Sequence, residues 1–277
     1  MLITGSRGML ARAVRRELER RGHDVIALDR AALDVTDARA VDSVVRGERP
    51  DVVVQCAAYT RVDDAETEES EAHRVNADAT RHVALACRAV GARFIYPSTD
   101  YVFDGAATSP YRPDSPTNPL GAYGRSKLAG EAAAREAGDY LVVRTSWLYG
   151  AGGRNFVATI LERARAGQPL RVVVDQRGSP TWTGSLAEIL AGLMERGAPA
   201  GTYHATNRGE TTWHGLAVEA LRLAGIDAEV APVTTAEFPR PARRPAYSVL
   251  DCSATEAVVG PIAGWREALA AAMGEGV

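Results

Sequence analysis

Short apolar runs alternate along this chain with longer segments whose apolar residues recur every three to four positions. Leu2-Ile3-Thr4 reads as a strand. From Leu10 to Arg21, Leu10, Val14 and Leu18 share one face and arginines and glutamates fill the rest, which predicts an amphipathic helix ended by Gly22. Asp24–Leu28 is a second strand, Ala38–Gly47 a helix, and Asp51–Cys56 a third strand, apolar at its centre as a buried parallel strand is. Glu71–Val90 follows as a long helix, Arg93–Pro97 as a fourth strand, Tyr123–Ala137 as a helix and Tyr140–Arg144 as a fifth strand. This order predicts an α/β fold with a doubly wound parallel sheet.

After about residue 150 the pattern loosens. Helices are expected at Asn155–Ala166, Ser185–Arg196 and Trp265–Met273, short strands at Leu170–Asp175 and Gly201–Ala205, and a loop at Arg240–Pro245. The expected division is a Rossmann-type nucleotide domain over 1–150 and a smaller α+β substrate lobe over 151–277, its strands partly outside the main sheet order. The boundary is soft, because such chains cross between lobes more than once.

Composition narrows the function. The 277 residues are 46% hydrophobic and 24% charged, with a formal net charge of -3. No basic block calls for nucleic acid or an anionic membrane as partner. The cysteines, Cys56, Cys87 and Cys252, are odd in number, lie in apolar contexts and form no CxxC pair, which suits core residues in a reducing compartment. The N-terminal apolar run is too short for a signal peptide, and no stretch reaches the length of a membrane span. A cytoplasmic protein is expected.

The first strand runs directly into Gly5-Ser6-Arg7-Gly8-Met9-Leu10-Ala11. A glycine turn between a first strand and a first helix lets backbone approach a pyrophosphate, which the helix N-terminus then favours. The third glycine position is Ala11, which still permits close helix–strand packing. At the end of the second strand, Asp29 suits the ribose hydroxyls of NAD and Arg30 suits the 2′-phosphate of NADP; the sequence offers both. Asp34 and Val35 could lie against the adenine, or Asp34 and Asp37 could simply cap a helix. Small residues in Cys56-Ala57-Ala58-Tyr59 would let a cofactor ribose lie close.

The fourth strand ends in Ser98-Thr99-Asp100-Tyr101, which sets two hydroxyls and a carboxylate where open α/β sheets bind ligands. A hydrogen-bonding turn would look the same. Tyr123-Gly124-Arg125-Ser126-Lys127 follows, and residues i and i+4 share a helix face. Tyr-x-x-x-Lys alone occurs often by chance. Here it follows the strand-end hydroxyls on the next helix, which predicts Tyr123 as general acid. Lys127 would lower the phenol's pKa and reach the nicotinamide ribose, and Thr99 or Ser98 would hold the substrate carbonyl.

With these pieces in place the chain resembles the extended short-chain dehydrogenase/reductases, and in particular the dTDP-4-dehydrorhamnose reductase family. The blocks that carry the resemblance are AAYTRVDDAE (57–66), STDYVFDG (98–105), YGRSKLAGE (123–131), RTSWLYG (144–150), DQRGSPT (175–181) and RPAYSVLD (244–251). The resemblance implies reduction of the 4-keto group of a dTDP-6-deoxyhexulose, with NADPH as donor and NADH possible. It implies catalytic roles for Thr99, Tyr123 and Lys127. Cofactor contacts fall on Gly8 to Leu10, Asp34, Val35, Ala57 to Tyr59, Tyr123 and Lys127. Sugar contacts fall on Thr99, Asp100 and Trp147, beside Ser98, Tyr101 and Tyr123. Some relatives dimerise through metal-bridged carboxylates on the first helix and near the DQRGSPT segment; the first-helix position is Ala13 here, so no metal bridge is expected. A monomer or homodimer is compatible with the sequence. Tyr247 replaces a more usual Asn in the last block, which bears on the exact sugar. Rival readings are a 4-ketoreductase of another dTDP-deoxysugar, a non-catalytic regulatory subunit, and an epimerase or dehydratase using Asp100.

Overall fold

A computed structural model describes all 277 residues. In chain order the elements are β1 (Leu2–Thr4), α1 (Met9–Arg20), β2 (Ile26–Leu28), α2 (Ala38–Glu48), β3 (Val52–Gln55), α3 (Glu69–His73), α4 (Ala79–Val90), β4 (Arg93–Thr99), α5 (Ala122–Ala134) and β5 (Tyr140–Thr145). Then come β6 (Leu148–Tyr149), α6 (Phe156–Arg165), β7 (Leu170–Val173), β8 (Arg177–Gly178), β9 (Thr181–Trp182), α7 (Thr183–Glu195) and β10 (Gly201–His204). β11 (Thr211–Thr212), α8 (Trp213–Ala224), β12 (Val230–Val233), α9 (Ser253–Val259) and α10 (Trp265–Gly274) complete the chain.

Six strands form one parallel sheet in the order β10-β5-β4-β3-β1-β2. The order reverses between β1 and β3, and ligands of such sheets bind in the crevice outside the strand ends at that point. β3 is buried along its whole length, which accounts for its unbroken VVV run. The apolar stripe of α1 (Ala11, Val14, Leu18) packs with Leu186, Leu190 and Leu193 of α7 on one sheet face. The facing helices α2 and α4 contribute Val41, Val45, Val83 and Cys87 to the core on the other face.

A third core lies beyond the sheet, where α6, α8 and α10 pack with β7 and β12 around Val157, Leu161, Leu216, Leu221 and Leu269. Small ladders, β7 with β12, β8 with β11 and β6 with β9, stay outside the main sheet. Gly201–His204 does not. It joins the main sheet beside β5, so the chain returns across residue 150 through α7. An apolar α7 with buried residues on several sides needs cover from both α1 and α9, and that packing carries the following strand back.

The helix expected over Glu71–Val90 is one helical run with a π turn at Arg74–Asp78 between α3 and α4. No periodicity argument foresees that turn, because the apolar spacing continues through it. The pattern reading also passed over α8, although Thr212 caps it by accepting the Gly215 N–H at 3.0 Å.

Candidate active site

The nucleotide end is built from backbone. Gly5 has φ +68°, and a Cβ there would stand 2.6 Å from the Ala57 nitrogen. The turn after β1 and the end of β3 can approach this closely only without a side chain. Gly8 is the N-cap of α1, and no side chain caps that helix. Its first-turn N–H groups, at Met9 and Leu10, therefore face the crevice as donors for an anion. Ala57, Ala58 and Tyr59 follow β3 on the other side of the reversal point. Asn76 in the π turn holds this segment, accepting the Tyr59 N–H at 2.9 Å and donating to the Tyr59 carbonyl at 3.0 Å. It also donates to the Ser126 hydroxyl at 3.0 Å, which ties the β3 segment to α5. Sequence reasoning missed Asn76; an asparagine inside the Glu71–Val90 helix run was the available signal.

A cavity of about 380 Å³ beside the turn is lined by Arg7, Asp29, Arg30, Ala31 and Asp34. Asp29 accepts the Ala31 and Ala32 N–H groups at 3.0 Å, and Arg7 pairs with its other oxygen at 2.5 Å. The Ala32 N–H above all, helped by Arg7, lowers the Asp29 carboxyl below its usual range, with burial opposing it. Arg30 reaches Asp34 at 3.4 Å. Asp34 Oδ1 accepts the Thr36 N–H at 3.0 Å, so it closes a turn before α2, and Val35 is buried behind it. Both Asp29 oxygens are thus engaged within the protein. Arg7, paired with Asp29, and Arg30, close to Asp34, still present exposed guanidinium groups to the cavity. Together the glycine cradle, the uncapped helix end and this cationic pocket fit a dinucleotide carrying a 2′-phosphate.

The catalytic end is built from buried side chains. Thr99 closes β4, and its hydroxyl accepts the Tyr101 N–H at 3.2 Å and donates to Asp100 at 3.1 Å. The single turn Asp100–Val102 then brings Tyr101 edge-on to Tyr123, with ring centroids 5.9 Å apart and planes at 89°. Gly124 permits this, since a Cβ there would collide with the Tyr101 carbonyl. The first N–H of α5, at Ala122, donates to Glu66 at 2.8 Å, so the VDDAE block caps the helix that carries Tyr123.

Lys127 lies one turn further along α5 and is 3% exposed. Its ammonium donates to the Pro97 carbonyl at 2.7 Å and sits 3.9 Å from the centre of the Tyr96 ring. Burial pushes its pKa down to about 7, opposed by the Glu131 carboxylate. Burial also raises the Tyr123 phenol, and the Asp100 charge adds to that effect. The expectation that Lys127 lowers the Tyr123 pKa is therefore corrected for the protein on its own. Desolvation of the phenol decides its pKa, while the ammonium is turned to the Pro97 carbonyl. A raised phenol still keeps its proton at neutral pH, as a proton donor must.

Asp100 is 3% exposed; burial pushes its pKa up to about 6 against the Ser248 and Thr99 hydroxyls. Its Oδ2 is buried with no hydrogen-bond partner. Ser98 is not brought to this group. Its hydroxyl donates to Glu131 at 2.6 Å, within a buried network that includes Arg144.

A strap over residues 240–247 lines one small cavity with Tyr101 and Tyr123, both half-buried. Asp63 accepts from Arg240, Arg244 and the Ala242 N–H and pins the strap to the segment after β3. Burial would raise Asp63, but Arg244, the Ala242 N–H and Arg240 prevail and hold it at about 2. None of Asp63, Arg240 and Arg244 was singled out from sequence; an acidic pair in one block and the basic RPARRP in another were the signal. Trp147 stacks on Trp213 with centroids 3.7 Å apart, and its φ is +49°, unusual for a bulky residue and a conformation held by its surroundings. Tyr247 lies near Tyr111 and donates to Glu210 at 3.3 Å.

Residues 1–276 of the chain match the family described as RmlD substrate binding domain. This chain belongs to that family. A Streptomyces griseus protein named dTDP-4-dehydrorhamnose reductase is 51% identical over 276 residues, covering 97% of this chain and 91% of the relative. A Streptomyces antibioticus protein named probable dTDP-4,6-dihydroxy-2-methyloxan-3-one 4-ketoreductase is 47% identical, over 97% and 92%. The crystal structure of dTDP-4-dehydrorhamnose reductase from Bacillus anthracis in complex with NADP superposes with a TM-score of 0.95 at 38% identity, over 99% of this chain and 98% of that one. No helix is long and apolar enough to cross a membrane.

Proposed function

We propose that this chain reduces dTDP-4-dehydrorhamnose to dTDP-L-rhamnose, with NADPH as donor. The observation that carries the reading is the convergence of Thr99, Tyr123 and Lys127 at the strand ends beside the Gly5–Gly8 turn, in a chain of this family. NADPH supplies the hydride to the C4 carbonyl carbon. Gly5, Gly8, Met9 and Leu10 would hold its pyrophosphate through backbone, and Arg7 and Arg30 would take the 2′-phosphate. Lys127 would anchor the ribose next to the reacting ring, with Ala57, Ala58 and Tyr59 along the opposite wall.

The Thr99 hydroxyl orients the carbonyl oxygen, and Tyr123 donates the proton that turns the developing alkoxide into the alcohol. Asp100, with a free buried oxygen, suits a sugar hydroxyl, and Tyr101 and Trp147 bound the ring. The strap pinned by Asp63 would close over the half-buried proton donor and limit water there. The odd set of free thiols supports a cytoplasmic site of action, as monomer or homodimer. The comparable identity of the S. antibioticus relative favours a second reading, a 4-ketoreductase of another dTDP-deoxysugar, with Tyr247 shaping the difference.

Purified protein, enzymatically generated dTDP-4-dehydrorhamnose and NADPH or NADH test this by loss of absorbance at the reduced-nicotinamide band. Rapid loss with dTDP-L-rhamnose formed supports the first reading. Turnover only with a different dTDP-keto-sugar supports the second. No turnover with any keto-sugar, despite bound NADPH, overturns both.

A further inference from the structure

Lys127 is the only lysine among 32 basic residues. Every other cation is an arginine, which stays charged in any surroundings, whereas a buried lysine readily loses its proton. Lys127 forms no ion pair, yet its proposed task beside the cofactor needs the ammonium. Something must hold the proton there.

The neighbours can be taken element by element. On α5, Tyr123 precedes Lys127 by one turn and Glu131 follows it by one turn, all on one face. From the end of β3 comes Cys56, whose thiol burial pushes up to about 12, so it is uncharged at neutral pH. From β4 come the Pro97 carbonyl and the Tyr96 ring, whose phenol burial raises well above its ordinary value. The π turn offers Asn76, which has no charge. Asp100, on the turn after β4, acts on Tyr123. Arg144 on β5 is engaged with Glu131. The remaining ionised neighbour of opposite sign is Glu131.

We propose that Glu131 is the counter-charge that keeps Lys127 protonated, and that Ser98 and Arg144 hold it in place for that task. The geometry is specific. Glu131 is fully buried and Arg144 is 3% exposed. Arg144 grips both carboxylate oxygens, each at 2.8 Å, and the Ser98 hydroxyl donates to one of them at 2.6 Å. The remaining Arg144 nitrogen donates to the Pro113 carbonyl at 3.1 Å. A buried ion pair adds little stability over a well-packed apolar pair, so stability alone is a poor reason for one beneath the active site. A fixed negative charge one turn from a buried lysine is a sufficient reason. Glu131 touches no reacting atom and is a positioning residue. The inference rests on the proposed function only for the importance of Lys127; the charge relation stands without it.

The test uses the full chain with ¹³Cε-labelled lysine, which gives one lysine resonance and no assignment problem. The wild-type resonance is expected to titrate near pH 7. Glu131→Gln should move the midpoint about one unit toward acid. Arg144→Met, which leaves the carboxylate uncompensated, should move it toward alkali. Should Glu131→Gln alone fail to fold, Glu131→Gln with Arg144→Met removes both charges and should still move the midpoint toward acid. NADPH affinity measured at pH 8 should fall severalfold in the variants that lack Glu131 and much less at pH 6. An unchanged midpoint without Glu131, or shifts of one sign in the Glu131 and Arg144 variants, overturns the proposal. Because the titration needs no sugar, its outcome is independent of whether the keto-sugar assay succeeds.

Discussion

The two ends of the crevice hold charge in opposite ways. At the nucleotide end, Arg7 and Arg30 have side chains 80% and 78% exposed, and the phosphate cradle is backbone. At the catalytic end, Lys127, Asp100, Glu131 and Arg144 are almost without solvent contact. Exposed charges act through a screened field. Buried charges shift, and each depends on the few neighbours fixed around it. Binding of a highly charged nucleotide needs the first arrangement. Proton transfer at neutral pH needs the second.

The sharpest way to break the comparison is Tyr123→Phe. It should lower kcat by about 10²–10⁴-fold, while NADPH affinity, set largely at the other end, changes little. Equal loss of binding and turnover, measured by fluorescence titration and by the spectrophotometric assay, would join the two ends into one unit. Gly5→Ala attacks the opposite end. Its φ and the 2.6 Å approach to Ala57 should cost about 1–3 kcal/mol of stability, with NADPH affinity down at least tenfold, read by thermal unfolding and titration.

Two of the shifted carboxylates, Asp100 and Asp63, sharpen the contrast through pH. Asp100 ionises in the folded protein at about 6 against 3.8 ordinarily, so the folded state binds the extra proton between those values. Its contribution to stability is largest below that window and falls as pH rises through it. Asp100→Asn should remove this slope, worth about 1–3 kcal/mol by pH 7, and flatten Tm between pH 4 and 6. Asp63, held at about 2, behaves oppositely. Its stabilisation is complete above pH 3.8 and is lost as pH falls toward 2. Asp63→Asn should lower Tm at neutral pH and raise the KM for the sugar nucleotide by releasing the strap.

The smallest effect belongs to the exposed cations. Arg30→Ala should weaken NADPH binding about threefold to tenfold at low salt and leave NADH nearly unchanged. Raising ionic strength from about 0.1 to 1 M should erase most of that difference. The same change of salt should leave the Tyr123→Phe loss intact.

By itself the sequence determined the strand–helix alternation, the glycine turn, the order of Thr99, Tyr123 and Lys127 and the family. These rest on local spacing: a run of buried valines, a glycine after the first strand, a four-residue repeat on one helix face. The VDDAE and RPARRP blocks were visible as strings, but their meeting through Asp63, Arg240 and Arg244 joins positions some 180 residues apart, beyond any periodicity. The return of Gly201–His204 to the main sheet was likewise decided by the packing of α7 on α1. Above all, charge states were tertiary decisions. Lysine and tyrosine four apart suggested a lowered phenol, but burial raised the phenol and lowered the lysine instead. Desolvation depends on what covers a side chain, and Ser98, Glu131 and Arg144, far apart in sequence, become partners only where β4, α5 and β5 meet.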